Sequence, residues 1–418
     1  MNTLIFGTQN QMSAQSILQN DAELAALRDG LQTEQELMRQ GIFTDVDTGR
    51  EYFTGYAYKT LYDWDQYFEA ILQVYMCWSS EYIRNGVTIF LDHQKDSGLI
   101  SRSVPSNPYH DPEHVKPFLA QIVLLVQRVY GELDWIQPYF SRLQKYVAYW
   151  LEAMDETGSG LSTWMSAPHT GMDNQHERAG WWRDRFSQGV DLNCYLVREL
   201  RAMARLTGWL GQANLALDYL SQAERRAAAV RSWLWDEQDG FFYDRNARRG
   251  EPLMSQHAGW ASTLNGIPVE LIRVKAVSGF APLWAGVATA EQARRMVLEH
   301  LFNPAEFWTA YPLPALAKSE RWYSQDWLPA DLGCNWRAKT WIPTNYMIYH
   351  GLCRYGYDQL ASLVAHHTLR LLKTAGNREY YDAETGEGCG LDPFWGWSLL
   401  GYFLPYEELG RFDPTSLE

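Results

Sequence analysis

The chain has 418 residues, 46% of them hydrophobic, which is enough to bury a large core. Its formal net charge of −14 argues against nucleic acid or an anionic membrane as the main partner. The five cysteines are scattered and lack a C-x-x-C spacing, which argues against a disulfide framework and a thiolate zinc site. The first ten residues lack a basic segment followed by an apolar run, and no apolar stretch approaches the ~20 residues that span a bilayer, so we expect a cytoplasmic protein.

Helical periodicity dominates the chain. Apolar residues recur every three or four positions over Tyr139–Met154 and Leu220–Leu234, as on the buried face of a helix. Thr289–Gln292 has the pattern of a capping box at a helix start. Further amphipathic stretches lie near 12–28, 65–78, 118–130, 191–206 and 356–373. Because no linker, charge block or composition break interrupts the chain, we predict one all-α domain over residues 1–418, with the chemistry on its loops.

Two acidic residues lie in short glycine-bearing loops. Asp173 belongs to His169–Gln175 and Glu387 to Tyr381–Gly390, and both loops are flanked by segments rich in Trp and Tyr. Hydrolysis of a glycosidic bond needs one carboxylic acid to protonate the leaving oxygen and one carboxylate to activate water. Aromatic side chains suit the apolar C–H faces of a sugar ring. The two loops therefore indicate a glycosidase site, provided that the fold brings them together.

Both acidic motifs also fit ordinary structural roles. Gly171–Asn174 has the composition of a turn, and Thr385–Glu387 has that of the first turn of a helix. Aromatic loops recur, however, at Tyr56–Phe68 and Asn335–Tyr346. Most aromatic residues belong to the core of a protein, but their recurrence in loops beside two loop carboxylates favours a sugar-processing enzyme.

Seven short motifs follow one another in the order found in glycoside hydrolase family 63. They are Trp64–Phe68, Gly98–Ser103, Gly171–Asn174, Val190–Asn193, Gly279–Gly286, Trp336–Asn345 and Thr385–Gly388. The chain thus resembles the compact bacterial members of that family, and within it the α-mannosylglycerate and α-glucosylglycerate hydrolases. The resemblance implies an (α/α)6 toroid, a six-hairpin barrel with the active site in the loops at one end. It also implies hydrolysis of a small α-glycoside with inversion of the anomeric centre and without a cofactor.

The resemblance also implies a set of site residues. It makes Asp173 the general acid and Glu387 the general base. An acid that stays protonated near neutrality needs an apolar surrounding, to which Met172 could contribute. The positions expected around the bound substrate are matched by Tyr58, Trp64, Asp65, Gln94, Arg102, Trp336 and Trp341.

One departure from the family pattern concerns the aglycone, the part of the substrate released from the sugar. Many relatives carry Gly-Pro after the Trp-Arg pair, whereas this chain has Ala338 and Lys339. Lys339 could place a cation near an acid-bearing aglycone such as glycerate, or it could be solvated. Arg183 and Arg185 are alternative partners, because a guanidinium pairs a carboxylate bidentately. The sequence leaves this choice open, as it does the choice between glucose and mannose.

Three other functions stay open at this point: an α-glucosidase for neutral saccharides such as trehalose, a non-catalytic sugar-binding toroid, and a phosphorylase. The last normally has a basic phosphate site in place of an acidic base such as Glu387. His110–His114 spells H-x-x-E-H, a zinc-protease pattern that needs an unbroken helix. Pro112 interrupts it, so we expect an irregular loop and no metal. The expected partner is a small-molecule glycoside, and homo-oligomerisation and a lid role for 104–117 are left open.

Overall fold

The structure is a computed structural model. It describes residues 31–57, 59–108, 112–181, 183–248, 270–323, 334–407 and 413–417. The predicted amphipathic stretch at 12–28 lies outside these residues.

Helices form the framework of the described chain. A short 3-10 turn or a π-helical turn extends several of them, and Met296–Leu301 is the π-helical one. The α-helices are α1 Gln32–Met38, α2 Asp63–Tyr75, α3 Glu81–Asp92, α4 Leu119–Tyr130, α5 Phe140–Glu152, α6 Ala167–Thr170, α7 His176–Ala179, α8 Val190–Trp209, α9 Ala213–Trp233, α10 Ala281–Trp284, α11 Ala290–Arg295, α12 Ile342–Arg354, α13 Asp358–Ala375 and α14 Leu404–Glu407.

Short antiparallel strands tie the loops between the helices. They are β1 Ile42–Thr44, β2 Glu51–Phe53, β3 Leu61–Tyr62, β4 Ser103–Val104, β5 Ser187–Gln188, β6 Trp235–Asp236, β7 Phe241–Phe242, β8 Asp244–Asn246, β9 Leu271–Ile272, β10 Lys339–Thr340, β11 Tyr380–Asp382 and β12 Gly388–Cys389. They pair as β1-β2, β3-β4, β5-β8-β9, β6-β7 and β10-β11-β12. Because no strand in the described residues exceeds three residues, the sheets staple loops and the helices carry the core.

The centre of the core is an aromatic cluster that joins four helices. Phe118, at the start of α4, lies 4.8 Å from Tyr67 of α2 and 4.8 Å from Tyr195 of α8, measured between ring centroids. Trp284 of α10 lies 6.2 Å from Phe118. The Arg198 guanidinium stacks 3.8 Å above the Trp284 ring, a cation–π contact inside the core. Large aromatic rings from helices distant in sequence therefore hold the framework together.

The segment 413–417 packs against helices formed much earlier in the chain. Arg198 of α8 donates a hydrogen bond to the Thr415 carbonyl, and Arg128 of α4 donates to the Asp413 carbonyl at 3.4 Å. His350 of α12 has its Nδ1 3.3 Å from Asp413 Oδ1. This segment thus links α4, α8 and α12.

The predicted helices at 65–78, 118–130, 191–206 and 356–373 are confirmed as α2, α4, α8 and α13. The Thr289 capping box is also confirmed, since its side chain accepts from Gln292 N and the Gln292 side chain accepts from Thr289 N. The apolar face predicted for α9 was wrong at Leu220, which is 44% exposed. The expectation of an all-α chain holds for the framework, and the few short strand patterns expected from the sequence correspond to strands of two or three residues in the loops. No helix in the described residues is long and apolar enough to cross a membrane.

Candidate active site

Strand pairing assembles one side of the candidate site. β3 leads directly into α2, so the loop residues Trp64 and Asp65 become part of the first helical turn. The pairing of Tyr62 with Ser103 across β3 and β4 brings Arg102 beside that turn. The Arg102 guanidinium lies 5.9 Å from the centre of the Tyr62 ring. Residues more than forty positions apart are therefore held together by the two pairs of this short ladder.

Asp173 lies on the loop between α6 and α7 and is partly open to solvent. Its side chain is 36% exposed, and its Oδ1 lies 3.8 Å from Nη2 of the buried Arg102. Burial raises the pKa of the Asp173 carboxyl, and the positive charges of Arg102 and Lys116 oppose that rise. The pKa of Asp173 is raised overall, so the carboxyl stays protonated to a higher pH than that of a solvated aspartate.

The loop that carries Asp173 is fixed by hydrogen bonds to the Trp336 loop. Asn174 Oδ1 accepts a hydrogen bond of 2.8 Å from Trp336 N, and Gln175 Nε2 donates to the Trp336 carbonyl at 2.7 Å. Arg337 Nη2 donates to the Asn174 carbonyl at 3.0 Å and to Glu177 Oε2 at 2.9 Å. Asp173 is thus attached to a second loop more than 160 positions further along the chain.

A continuous aromatic wall lies beside these loops. Trp336 and Trp341 stack with their ring centroids 3.7 Å apart and their planes inclined by 8°. Trp341 stacks in turn on Tyr380 at 4.4 Å, and Trp64 lies 5.4 Å from Trp336. These tryptophans are almost wholly buried, so they fix the shape of the wall.

Gly171 allows the Asp173 loop to approach Trp64 closely. Its φ is +85°, and a Cβ at this position would lie 2.8 Å from the Trp64 ring. Both the left-handed backbone and the close ring exclude a side chain here. Steric exclusion therefore explains why a glycine occupies position 171 of the predicted motif.

Asp65 is a buried carboxyl next to the wall. Only 4% of the residue is exposed, and burial together with the negative charge of Asp63 raises its pKa to about 7. The nearby Lys116 and a hydrogen bond from Tyr56 act in the opposite direction. Lys116 Nζ is held 3.0 Å from Asp63 and 5.3 Å from the centre of the Trp64 ring. Asp65 can therefore change charge near neutral pH.

The structure places Glu387 on the outside of a hairpin. Its side chain is exposed, in the turn between β11 and β12, where its carbonyl accepts a hydrogen bond of 2.8 Å from Asp382 N. The residue is therefore part of a β-hairpin, and the alternative of a helix start is wrong. No side-chain contact places Glu387 beside Asp173 among the described residues.

A different carboxyl, that of Glu379, is an electrostatic neighbour of Asp173. Glu379, directly before β11, is 3% exposed, and its Oε2 accepts a hydrogen bond of 2.8 Å from Leu391 N. Burial raises its pKa, to which the negative charge of Asp173 adds, while hydrogen bonds from Leu391 N, Cys334 and Tyr56 lower it. Cys334 Sγ lies 3.4 Å from Glu379 Oε1. The sequence interpretation missed Glu379, although it stands only eight residues before Glu387 and beside two tyrosines.

The remaining predicted residues fall in different places. Tyr58 lies outside the described residues. Gln94 Nε2 donates to the carbonyls of Arg142 at 2.9 Å and Gly98 at 3.3 Å, so its amide serves the α3–α5 junction. Arg183 is exposed with a φ of +57°, and its role in binding stays a prediction.

The two other proposed aglycone cations are engaged in ion pairs. Lys339 Nζ lies 2.8 Å from Asp382 Oδ2 on the neighbouring strand, so it is not the solvated lysine that one alternative described. Arg185 Nη2 lies 2.5 Å from Glu156 Oε1. Arg102, by contrast, is buried beside Asp173 and also lies 3.1 Å from Glu113.

In the described part of the H-x-x-E-H motif, Glu113 and His114 are buried and form hydrogen bonds within the protein. Glu113 accepts from Arg102 at 3.1 Å and from Ser166 at 2.6 Å. Burial lowers the pKa of His114 to about 3, and its ring contacts the backbone of Ile100 and Tyr146. His110 lies outside the described residues. Glu113–Pro117 is buried beneath the Asp173 loop, so this half of the 104–117 segment is not a surface flap.

Comparison with known proteins identifies the family of the chain. Residues 58–398 match the sequence model of a protein family, the mannosylglycerate hydrolase MGH1-like glycoside hydrolase domain. The chain belongs to this family of glycoside hydrolases. The resemblance to family 63 that the ordered motifs indicated is thereby confirmed.

A curated relative matches part of the chain. A mannosylglycerate hydrolase of Thermus thermophilus is 32% identical over 168 residues, which make up 40% of this chain and 33% of the relative. The chain therefore matches about a third of the length of that curated relative.

Solved structures extend the similarity of fold. The mannosylglycerate hydrolase of another Thermus thermophilus strain, in complex with Tris and D-glycerate, has a TM-score of 0.68 over 89% of this chain and 99% of its own, at 19% identity. Neutral trehalase of Saccharomyces cerevisiae has a TM-score of 0.60 over 90% of this chain and 79% of its own, at 18% identity. The fold is thus that of helix-rich glycoside hydrolases.

Proposed function

We propose that this protein is an inverting α-glycosidase that hydrolyses a small α-glycoside of glycerate, mannosylglycerate or glucosylglycerate. The observation that carries the proposal is that Asp173 and the buried carboxyl of Glu379 are electrostatic neighbours beside stacked tryptophans. The family supports the hydrolysis of a glycoside, and the names of the relatives support glycerate as the aglycone. The framework is proposed to be an (α/α)6 toroid forming a single catalytic domain over 1–418, acting in the cytoplasm without nucleic acid or membrane partners.

In the proposed mechanism, Asp173 is the general acid. Its raised pKa keeps a proton available, and its partial exposure lets that proton reach the glycosidic oxygen. As the bond breaks, the proton passes from Asp173 to the leaving glycerate oxygen, and the aspartate becomes negative. The neighbouring Arg102 then stabilises the new negative charge, because opposite charges this close favour the ionised acid.

We propose Glu379 as the general base in place of Glu387. Glu379 has Asp173 as an electrostatic neighbour and is held by donors on both carboxyl oxygens, whereas the Glu387 side chain is exposed in a turn. The base takes a proton from water as that water attacks the anomeric carbon from the face opposite the leaving group. Inversion requires ~6.5–9.5 Å between the two carboxyls, which leaves room for that water.

Arg102 supports an acidic aglycone more strongly than Lys339 or Arg185 does. All three cations have carboxylate partners, but those of Arg102 are Glu113 and the proposed acid Asp173, whereas Lys339 and Arg185 are paired with Asp382 and Glu156. Asp65 is proposed to accept hydrogen bonds from sugar hydroxyls. Trp64 and the Trp336–Trp341 stack are proposed to line the sugar site beside it. A buried carboxylate strengthens such bonds because the surrounding dielectric is low.

The test is sugar release from a panel of α-mannosylglycerate, α-glucosylglycerate, their glycerol analogues, trehalose and maltose, with the product anomer followed by proton NMR. We expect a strong preference for the glycerate glycosides and first appearance of the β anomer. Equal rates on the glycerol analogues would remove the role of the aglycone carboxylate. Preferred hydrolysis of trehalose or maltose would establish the neutral α-glucosidase instead, and the absence of all hydrolysis would overturn the proposal.

A further inference from the structure

Cys334 lies between the two carboxyls of the proposed mechanism. Its Sγ is 3.4 Å from Glu379 Oε1, and the thiol also forms a hydrogen bond with the Asp173 side chain. Cys334 is half-buried, directly before the Asn335–Trp336 pair that holds the Asp173 loop. The thiol thus stands at the junction between the loop of the acid and the strand of the base.

The backbone on the C-terminal side of Cys334 is fixed from two directions. Trp341 Nε1 donates to the Asn335 carbonyl at 2.9 Å, and Trp336 N donates to Asn174 Oδ1 at 2.8 Å. Asn335 Oδ1 accepts from Arg337 N at 3.0 Å. Because the following residues cannot shift freely, the thiol has a defined position relative to Glu379.

The chemistry of this thiol is that of a donor. Burial raises the pKa of Cys334 well above its usual range, and the negative charges of Glu379 and Asp173 add to this effect. The thiol therefore keeps its proton at neutral pH and can donate it in a hydrogen bond, whereas a reactive cysteine needs the thiolate form. Glu379 then has a donor on each oxygen, Leu391 N on Oε2 and the thiol on Oε1.

We infer that Cys334 is a positioning residue, whose S–H group holds Glu379 in the orientation and the ionised state that activation of water requires. The inference rests on the proposed role of Glu379 as the base. A thiol is a weak donor, so it orients the carboxylate and leaves most of its basicity intact. Hydrogen bonds to an ionised carboxylate favour that form, and loss of the donor therefore raises the pKa of Glu379.

The thiol also lowers the pKa of Asp173, so the two limbs of the pH profile are read separately, the acidic limb for Glu379 and the basic limb for Asp173. Among the described residues, the titratable and charged neighbours of Glu379, Asp173 and Cys334 include Tyr56, Tyr62, Asp63, Asp65, Arg102, Lys116 and Tyr380.

The test compares the pH dependence of kcat/KM for Cys334→Ala, Cys334→Ser and wild type. The base works when ionised, so kcat/KM falls on the acidic side of the profile as Glu379 becomes protonated. This acidic limb reports the pKa of Glu379, and because Cys334→Ala removes a donor, the limb is expected to move to higher pH. Cys334→Ser restores a donor and is expected to bring the limb back towards wild type. Cys389→Ala is the matched control, because Cys389 is half-buried with its Sγ near the Glu387 carbonyl, and its removal is expected to leave the limb unchanged.

An acidic limb that is unchanged in Cys334→Ala, in an enzyme that Glu379→Gln inactivates, would overturn the role of Cys334 and leave the proposed function standing. A carbon-13 carboxyl titration of the folded protein, assigned with Glu379→Gln, measures the same pKa without any substrate. A higher pKa of Glu379 in Cys334→Ala together with hydrolysis of the panel supports the inference, and an equal pKa contradicts it. A higher pKa without any hydrolysis would show that the thiol acts on Glu379 but would overturn the proposed function.

Discussion

Arg102 Nη2 and Asp173 Oδ1 are 3.8 Å apart, which sets a buried cation against a group proposed to act as an acid. The cation favours ionised Asp173, while burial favours the protonated form, and burial prevails in the direction of the pKa. This opposition suits a group that must give up its proton within each reaction cycle. A carboxyl held only by burial would bind its proton too firmly after the bond breaks.

Replacement of Arg102 tests this balance. Arg102→Gln removes the positive charge that lowers the pKa of Asp173, so this pKa is expected to rise further. The acid then stays protonated to a higher pH, and the basic limb of kcat/KM moves upwards while its maximum falls. The measurement is the pH profile, accompanied by a melting curve because Arg102 also contacts Glu113. A basic limb that stays in place would contradict the role of Arg102.

Asp173→Asn removes the proposed proton donor with little change of shape. We expect kcat/KM for α-mannosylglycerate to fall by about 10²–10⁴-fold, the range typical of a general acid. A synthetic glycoside with a leaving group that needs no protonation should lose much less, because its departure does not depend on the acid. Equal losses on both substrates would assign Asp173 to binding.

The two glutamates can be separated directly. Glu379→Gln is expected to lower kcat by about 10²–10⁴-fold through loss of the general base. Glu387→Gln is the matched variant eight residues away, and its exposed side chain predicts a rate near that of wild type. The reverse result would restore Glu387 as the base. Circular dichroism of both variants checks that folding is unaffected.

Glu199 predicts a pH-dependent contribution to stability. Its carboxyl, on α8, accepts hydrogen bonds from Ala120 N at 2.6 Å and Gln121 N at 3.3 Å in the first turn of α4. Burial raises its pKa from 4.5 to about 7. Between these values the folded state holds a proton that the unfolded chain releases, so the free energy of unfolding contributed by Glu199 falls as pH rises.

Glu199→Gln keeps the shape and removes this titration. We expect wild type to lose stability relative to Glu199→Gln as the pH is raised from 5 to 8, measured by urea unfolding at each pH. A constant difference between the two proteins would show that Glu199 does not titrate in this interval. Because only the difference is used, the titration of other groups cancels.

Arg178 holds a buried triad behind the Asp173 loop. Its Nη1 lies 2.9 Å from Asp244 Oδ2 and its Nη2 lies 3.1 Å from Asp191 Oδ2, with all three side chains almost wholly buried. Arg178→Ala leaves two carboxylates without their cation, and removal of one partner from a buried pair costs about 3–5 kcal/mol. Chemical denaturation measures this loss, and Glu224→Gln in the surface pair with Arg201 is the control expected to cost little. Equal losses in both variants would contradict the importance of the triad.

Local signals predicted the framework well because they depend on neighbours in sequence. The helical period placed α2, α4, α8 and α13, and the Thr289 capping box needs only residues three positions apart. The prediction failed at Leu220, whose exposure depends on which other helices cover α9. Two-residue strands such as β3 and β4 were invisible, since a period of two cannot be read from so few residues.

The site was predictable only in part. Gly171 and the aromatic loops marked the Asp173 side, and the structure brings Trp64, Asp65, Arg102, Trp336 and Trp341 together around it. Glu379 was missed because its neighbours Tyr56 and Cys334 lie far away in sequence, so their proximity follows from the fold alone. The glycines around Glu387 made the turn between β11 and β12 the more conspicuous motif. The buried carboxyl of Glu379 lies directly before β11, where no glycine is adjacent to it.

The segment 413–417 gives the order of synthesis a role in folding. Arg198 and His350 lie on helices that are made before Asp413 and Thr415, yet each has a partner in that later segment, in addition to Gln121 for Arg198 and Glu407 for His350. On the ribosome, the growing chain must therefore hold these buried cations without their partners in that segment until residue 415 has emerged. The segment 413–417 therefore completes this layer of the core only after the helices that carry Arg198 and His350 have been made.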